Sequence, residues 1–114
     1  MRDMTEMEVM RESSEQASRL LKALSNQDRL MILCLLGESE KCVSELEELL
    51  GIRQPTLSQQ LARLRADDLV STRRDGKVVY YKLASTEAGQ IIGLLYEMFC
   101  VPALAEHRES EATV

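Results

Sequence analysis

The side chains with chemistry to offer fall into two sets, one polar and basic, the other three cysteines. Arg53, Gln54, Thr56, Ser58, Gln59, Gln60 and Arg63 combine short groups that both donate and accept hydrogen bonds with cations that suit phosphate. In a major groove Gln matches adenine and Arg matches guanine. Arg73, Arg74 and Lys77 follow beside Asp75-Gly76, where they would reach an adjacent backbone or minor groove. From Ile52 to Leu83 seven Lys/Arg stand against three Asp, a local charge of +4 in a chain whose net charge is −5. An acidic chain that gathers its cations on one element points to a localised contact with a polyanion, not to general coating. A polar outer face is also what any solvated surface helix shows. The basic turn directly after it and the segregation of charge favour double-stranded DNA as the partner.

Cys34 sits in I-L-C-L-L, Cys42 in K-C-V-S and Cys100 at the end of E-M-F-C. Their wide, unequal spacing is not a secreted disulfide framework, so a reducing cytoplasm is expected. In an all-apolar stretch Cys34 reads first as a small buried hydrophobe. Cys100 fits packing less well, because on an ideal helix it points away from the Ile91, Leu94, Leu95 and Met98 stripe. The one histidine, His107, lies far from these thiols in sequence, and no closed tetrahedral metal set is visible. No metal site and no cofactor are expected. Nor is an enzyme: the chain has no Cys/His pair, nucleophile elbow, phosphate-cradling glycine loop or paired carboxylates.

Hydrophobic periodicity supplies the elements that must position these groups. Residues 1–11, charged and Met-rich, either fray or add turns to a first helix. A capping-box pattern at Ser13 and Gln16 precedes Ala17, Leu20, Leu21 and Leu24 at helical spacing. Ser25 with Asp28 caps a second helix reaching Leu36, apolar on every face and therefore buried. Ser44-x-x-Glu47 caps a third, closed by Gly51. The fourth spans Gln54 to Asp67 with Pro55 in its first turn, and Leu57, Leu61 and Leu64 form its buried stripe. Val70–Arg74 and Lys77–Leu83 alternate as strands around Asp75-Gly76, a hairpin signal. A last helix opens at Thr86-Glu87, and Pro102 ends or kinks it.

The fold class expected is mainly α with a β-hairpin wing, a winged helix-turn-helix spanning 12–103, with the wing at 70–83 and a flexible tail at 104–114. At 114 residues, 45% hydrophobic and without Trp, the chain can bury one small core. No apolar run reaches the roughly 18 residues that cross a bilayer, and the start is too acidic for a signal peptide, so no membrane association is expected. The first and last helices carry more apolar surface than one small core needs. They predict a twofold homodimer that places two reading helices about one DNA turn apart on an inverted repeat.

This arrangement resembles the ArsR/SmtB family of small dimeric bacterial repressors. The resemblance is carried by L-K-A-L-S-N-Q-D-R-L (21–30), V-S-E-L-E-E-L-L-G (43–51), Q-P-T-L-S-Q-Q-L-A-R-L-R (54–65) and R-R-D-G-K-V-V-Y-Y-K-L (73–83), and covers Ser13 to Cys100. It implies operator DNA released when an inducer binds. Metal sensors of the family commonly carry Cys-x-Cys at the start of the third helix, where this chain reads Cys42-Val43-Ser44. Others use Asp and His on the last helix, and Glu87 to Cys100 contain neither. Cys34 and Cys100 instead resemble the BigR/SqrR-like branch, which senses sulfane sulfur or oxidants through a cysteine at each of these two places. The resemblance implies a dithiol that is bridged by a small sulfur or oxidant inducer and so lowers DNA affinity. Cys42 is expected to be inert. The alternative reading is a metal- or metalloid-responsive repressor of the same family.

Overall fold

The second helix packs against the first, third, fourth and fifth helices and the last strand, because its apolar residues cannot face water on all sides. The structure, a computed structural model, describes residues 4–112. Helix α1 runs Met4–Leu24, α2 Gln27–Glu38, α3 Val43–Leu50, α4 Thr56–Ala66 and α5 Thr86–Leu95. Strand β1 is Lys41–Cys42, β2 Val70–Asp75 and β3 Val78–Leu83. A π-helical turn, Tyr96–Cys100, follows α5 and leads into α6, Val101–Ala112. This is the expected winged helix-turn-helix: α3 and α4 form the helix pair and β2–β3 the wing.

Ile32 and Leu33 of α2 are fully buried against Leu46 of α3 and Leu57, Leu61 and Leu64 of α4. Each such side chain contributes about 1.5–3 kcal/mol on burial. Contrary to the expectation for an all-apolar helix, α2 also turns Met31 to solvent, and Cys34 is only half-buried. The elements around it leave the face that carries Met31 uncovered.

Several ends differ from the sequence reading for local reasons. Ser13 lies inside α1, so the capping pattern there is not a helix start, and residues 4–11 add turns as one of the two readings held. Residues 1–3 lie outside the described residues. Asn26 caps α2 in place of Ser25 and Asp28, its side-chain oxygen accepting the Arg29 N–H at 3.1 Å. Helix α3 starts before Ser44: Cys42 is the cap, and Glu45 accepts its N–H at 3.0 Å. Pro55 stands at the cap of α4, not within its first turn. Gly51 closes α3 with φ of 68°, and Gly76 turns the wing with φ of 63°, the left-handed region glycine enters without strain.

A third strand escaped the sequence. β1 pairs antiparallel with β3 through Lys41–Tyr81 and Cys42–Tyr80, giving the order β1-β3-β2. Lys41 is buried there, and its Nζ donates to Leu35 O at 3.1 Å and to Ser39 Oγ at 2.7 Å. A cation thus satisfies carbonyls at the C-terminal end of α2, where the helix dipole favours positive charge.

The far end of the chain carries the largest correction. Val101 N–H bonds Tyr96 O, one residue further back than in an α-helix, and the chain then continues as α6 through Pro102. Proline has no N–H and its ring crowds the carbonyl four residues earlier. A widened turn before it lets the helix proceed where the sequence reading ended or kinked it. Residues 104–112 are therefore helical, not an irregular tail; residues 113–114 lie outside the described residues. Joined in this way, Thr86–Glu111 is a 26-residue run long and apolar enough, by length and composition, to cross a membrane, which the separate segments did not suggest. Phe99 is 66% exposed and Leu94 57%. From Thr5 to Arg19 every residue of α1 is exposed as well. The radius of gyration is 17.6 Å, where a compact chain of this length has about 13 Å.

Replacing Lys41 with Met keeps the apolar stem and removes the donors. Urea unfolding should then show a loss of about 1–3 kcal/mol with an unchanged m-value, because buried carbonyls lose their partner.

Candidate nucleic-acid interface and cysteine pair

Helix α4 turns its leucine stripe inward, which fixes the residues left outside. Thr56, Ser58, Gln59 and Arg63 are exposed, as are Arg53 and Gln54 in the turn before the helix. The side chains of Arg53, Thr56, Gln59, Arg74 and Lys77 make no hydrogen bond or ion pair among the described residues, so their polar groups are open to a ligand. Gln54, Ser58 and Arg63 are exposed but tethered. Gln54 Nε2 donates to Glu47 Oε1 at 3.1 Å, and Ser58 Oγ donates to Gln54 Oε1 at 2.6 Å. Arg63 pairs with Asp67 one turn on, at 3.3 Å. Such an exposed pair is weak, so Arg63 can change partner at little cost.

Two residues expected to touch DNA are engaged elsewhere. Gln60 is half-buried, its oxygen accepting from Arg29 Nη1 at 3.0 Å and its amide donating to Asn26 Oδ1 at 3.5 Å. It flanks the leucine stripe on the side that meets the start of α2. Arg73 Nε donates to both oxygens of Glu40 at 2.9 Å, and its guanidinium stacks on Tyr80, 4.5 Å from the ring centre. The hydrogen bond from Arg73 holds the Glu40 carboxyl below the usual carboxylate range. The pair is therefore intact at neutral pH. Its contribution is present above the ordinary carboxylate pKa and is lost as pH falls through the lowered value. Arg73 braces the wing against the loop before β1, leaving Arg74 and Lys77 as the open cations at its tip.

Glu40 does not stand out in the sequence, and Glu47 reads there only as part of a capping pattern. Glu40 lies 33 residues from Arg73, and only the pairing of β1 with β3 brings them together. Arg29, next to a run of core residues, was the one available signal: a guanidinium there must find acceptors if it is to be buried.

The cysteines occupy unlike surroundings, and all three are free thiols. Cys34 packs half-buried against the core from α2. Cys100 is exposed at the end of the π turn. That turn inserts an extra residue into the helix, so the ideal-helix direction drawn for Cys100 does not apply. Burial pushes the Cys34 thiol up from its ordinary value, and the charges of Cys100 and Glu38 push it further. Cys34 lies on α2, which packs on α5, and Cys100 lies on the π turn that continues α5. Cys42 stands apart at the cap of α3, its sulfur 3.2 Å from Ser44 Oγ. Among the described residues no three His, Cys, Asp or Glu side chains gather as a metal-binding group.

Alkylation of Cys34 followed against pH should titrate above the ordinary cysteine range. Cys100→Ser should bring that midpoint down part of the way only, because burial, the larger cause, remains. An unmoved midpoint would mean that the two thiols do not interact.

Comparison with known proteins accords with this geometry. Residues 26–72 match the description of bacterial regulatory proteins of the arsR family. The chain is 46% identical over 104 residues to the biofilm growth-associated repressor of Xylella fastidiosa, an alignment covering 88% of this chain and 91% of that protein. Its structure aligns with reduced HlyU from Vibrio cholerae with a TM-score of 0.77 at 46% identity, over 80% of this chain and 96% of that one. With the crystal structure of the transcriptional repressor BigR from Xylella fastidiosa the TM-score is 0.75 at 45% identity, over 84% and 95%.

Proposed function

The chain belongs to the ArsR family of bacterial regulatory proteins, in its BigR-like branch, and from that premise we propose a cytoplasmic repressor gated by a Cys34/Cys100 dithiol. It binds double-stranded operator DNA as a homodimer and releases it when a small sulfur or oxidant inducer bridges the pair. The observation that supports the gating is placement: half-buried Cys34 lies on α2, which packs on α5, and α5 runs on through the π turn that ends at exposed Cys100. A relative whose structure is described as reduced supports a redox-dependent reading.

The chemistry balances without a metal. Exposed Cys100 attacks the outer sulfur of an organic persulfide, releasing the organic thiol and becoming a persulfide itself. Cys34 then attacks the inner sulfur, the disulfide forms and hydrogen sulfide leaves with the two remaining protons. The raised Cys34 pKa leaves less thiolate at neutral pH, so the resolving attack should quicken as pH rises. The bridge would tie α2, which packs on the reading helix, to the helix that carries Leu94, Met98 and Phe99.

Those apolar residues, together with Met7 and Val9 of α1, face solvent in the single chain. A second copy is the occupant this surface fits: the protomer is too extended for its length, and one reading helix covers only half of an inverted repeat. For the reading face, the proposal assigns base contacts to Thr56, Ser58, Gln59 and Gln54. Phosphate contacts fall to Arg53, Arg63, Arg74 and Lys77.

Reduced protein should bind its own upstream DNA tightly. Treatment with an organic persulfide should weaken binding about tenfold or more, reversibly with a thiol reductant. Cys34→Ser and Cys100→Ser should bind but no longer respond, while Cys42→Ser should respond normally. Loss of response in Cys42→Ser would move the sensor site. Phe99→Asp should sediment as a monomer and lose the inverted repeat; a variant that stays dimeric would place the interface elsewhere.

A further inference from the structure

We propose that Arg29 and Gln60 form a latch that sets the angle of α4 against the end of α1, so that Gln60 aims the reading helix and does not itself touch a base. The proposal rests on α4 being the DNA-reading element, and it assigns a positioning role within that reading.

A single guanidinium holds three elements. Arg29 Nε donates to Ala23 O at 2.6 Å and Nη2 to Lys22 O at 3.2 Å. These are last-turn carbonyls of α1, where the helix concentrates partial negative charge. Arg29 Nη1 reaches across to Gln60 Oε1 of α4 at 3.0 Å. The ring then closes on itself. Gln60 Nε2 donates to Asn26 Oδ1 at 3.5 Å, and the same oxygen caps α2 by accepting Arg29 N–H at 3.1 Å. Both ends of the Gln60 amide are therefore used within the protein, 31 and 34 residues away in sequence.

The physical need for such a ring follows from how α4 is otherwise held. Leu57, Leu61 and Leu64 bury one stripe, and hydrophobic burial is non-directional. It resists withdrawal of the helix more than rotation or tilt. Hydrogen bonds are directional, those from a cation are about twice as strong as neutral ones, and the planar fork of Arg fixes the angle between them. Reading a base edge requires Gln59 and Thr56 to arrive within hydrogen-bond tolerance. The latch supplies that tolerance and refers it to the end of α1, a helix the proposed dimer uses.

The test uses the full-length protein and two duplexes: one enriched from a random pool by the wild type, and one of shuffled sequence and equal composition. The ratio of the two dissociation constants is measured for wild type, Arg29→Lys, Gln60→Leu, the double variant and Gln60→Glu. That ratio cancels any loss of folded fraction and any uniform electrostatic change. The latch predicts that each of the first two substitutions lowers the ratio about tenfold. The double variant should be no worse than either, and Gln60→Glu, which keeps a charged bond to Arg29, should retain most of the ratio. A fall in Gln60→Leu alone, or losses that multiply in the double variant, would overturn it in favour of a direct base contact by Gln60. Unchanged ratios with lower melting temperatures would overturn it in favour of a purely structural ring. A wild type that enriches no sequence would overturn the DNA-reading proposal, and the latch with it.

Discussion

The helix α2 is held at both ends by a buried or half-buried cation, and the elements that position the reading helix and the wing depend on it. Ile32, Leu33 and Leu36 commit α2 to the core. Arg29 ties its first turn to the end of α1 and to α4, and Lys41 satisfies carbonyls at its last turn. Both devices use a cation where a helix end leaves acceptors unmet. Because they also join other elements to α2, the reading helix, the wing sheet and the first helix are all referred to one rigid body. A thiol in that body, Cys34, is thereby mechanically close to everything that meets DNA.

Charge is handled with the same economy. The segment that reads as net basic in sequence is divided in three dimensions. Arg73 is spent on Glu40 and Tyr80, which stiffens the wing, while Arg74 and Lys77 remain open at its tip. Glu47 and Gln54 likewise order Ser58 before any ligand arrives. Fewer cations are free than the sequence offers, but those that remain stand on a braced scaffold, and ordering them on binding costs less entropy.

The apolar surface follows a different logic. α5, the π turn and α6 form one long helix that buries little of itself in its own chain. The π turn changes the phase of the helix between Leu95 and Val101, so the residues before and after it do not share the stripe an ideal helix would give. Cys100 stands at the end of that turn, two residues before Pro102. A turn of unusual hydrogen bonding, a proline and a thiol thus meet at one place, where a covalent change on Cys100 would act on the whole helix.

What the sequence by itself determined was local and periodic. The leucine stripe of α4, the Asp75-Gly76 hairpin, the Gly51 stop and the order of helices and wing were all legible, because each depends on neighbours within a few residues. The polar outer face of α4 was legible for the same reason. Tertiary structure alone decided which polar groups were free. Gln60 and Gln59 are adjacent and chemically identical, yet one is locked to Arg29 and the other is open, since a rotation of about 100° per residue puts them on different neighbours. Arg73 and Arg74 part in the same way, on opposite faces of a strand, one meeting Glu40 and the other solvent. The two-residue strand β1 was too short to carry a pattern, and α5 meets α2 only once the chain has folded. Contacts of that kind join positions dozens of residues apart, and no local spacing encodes them.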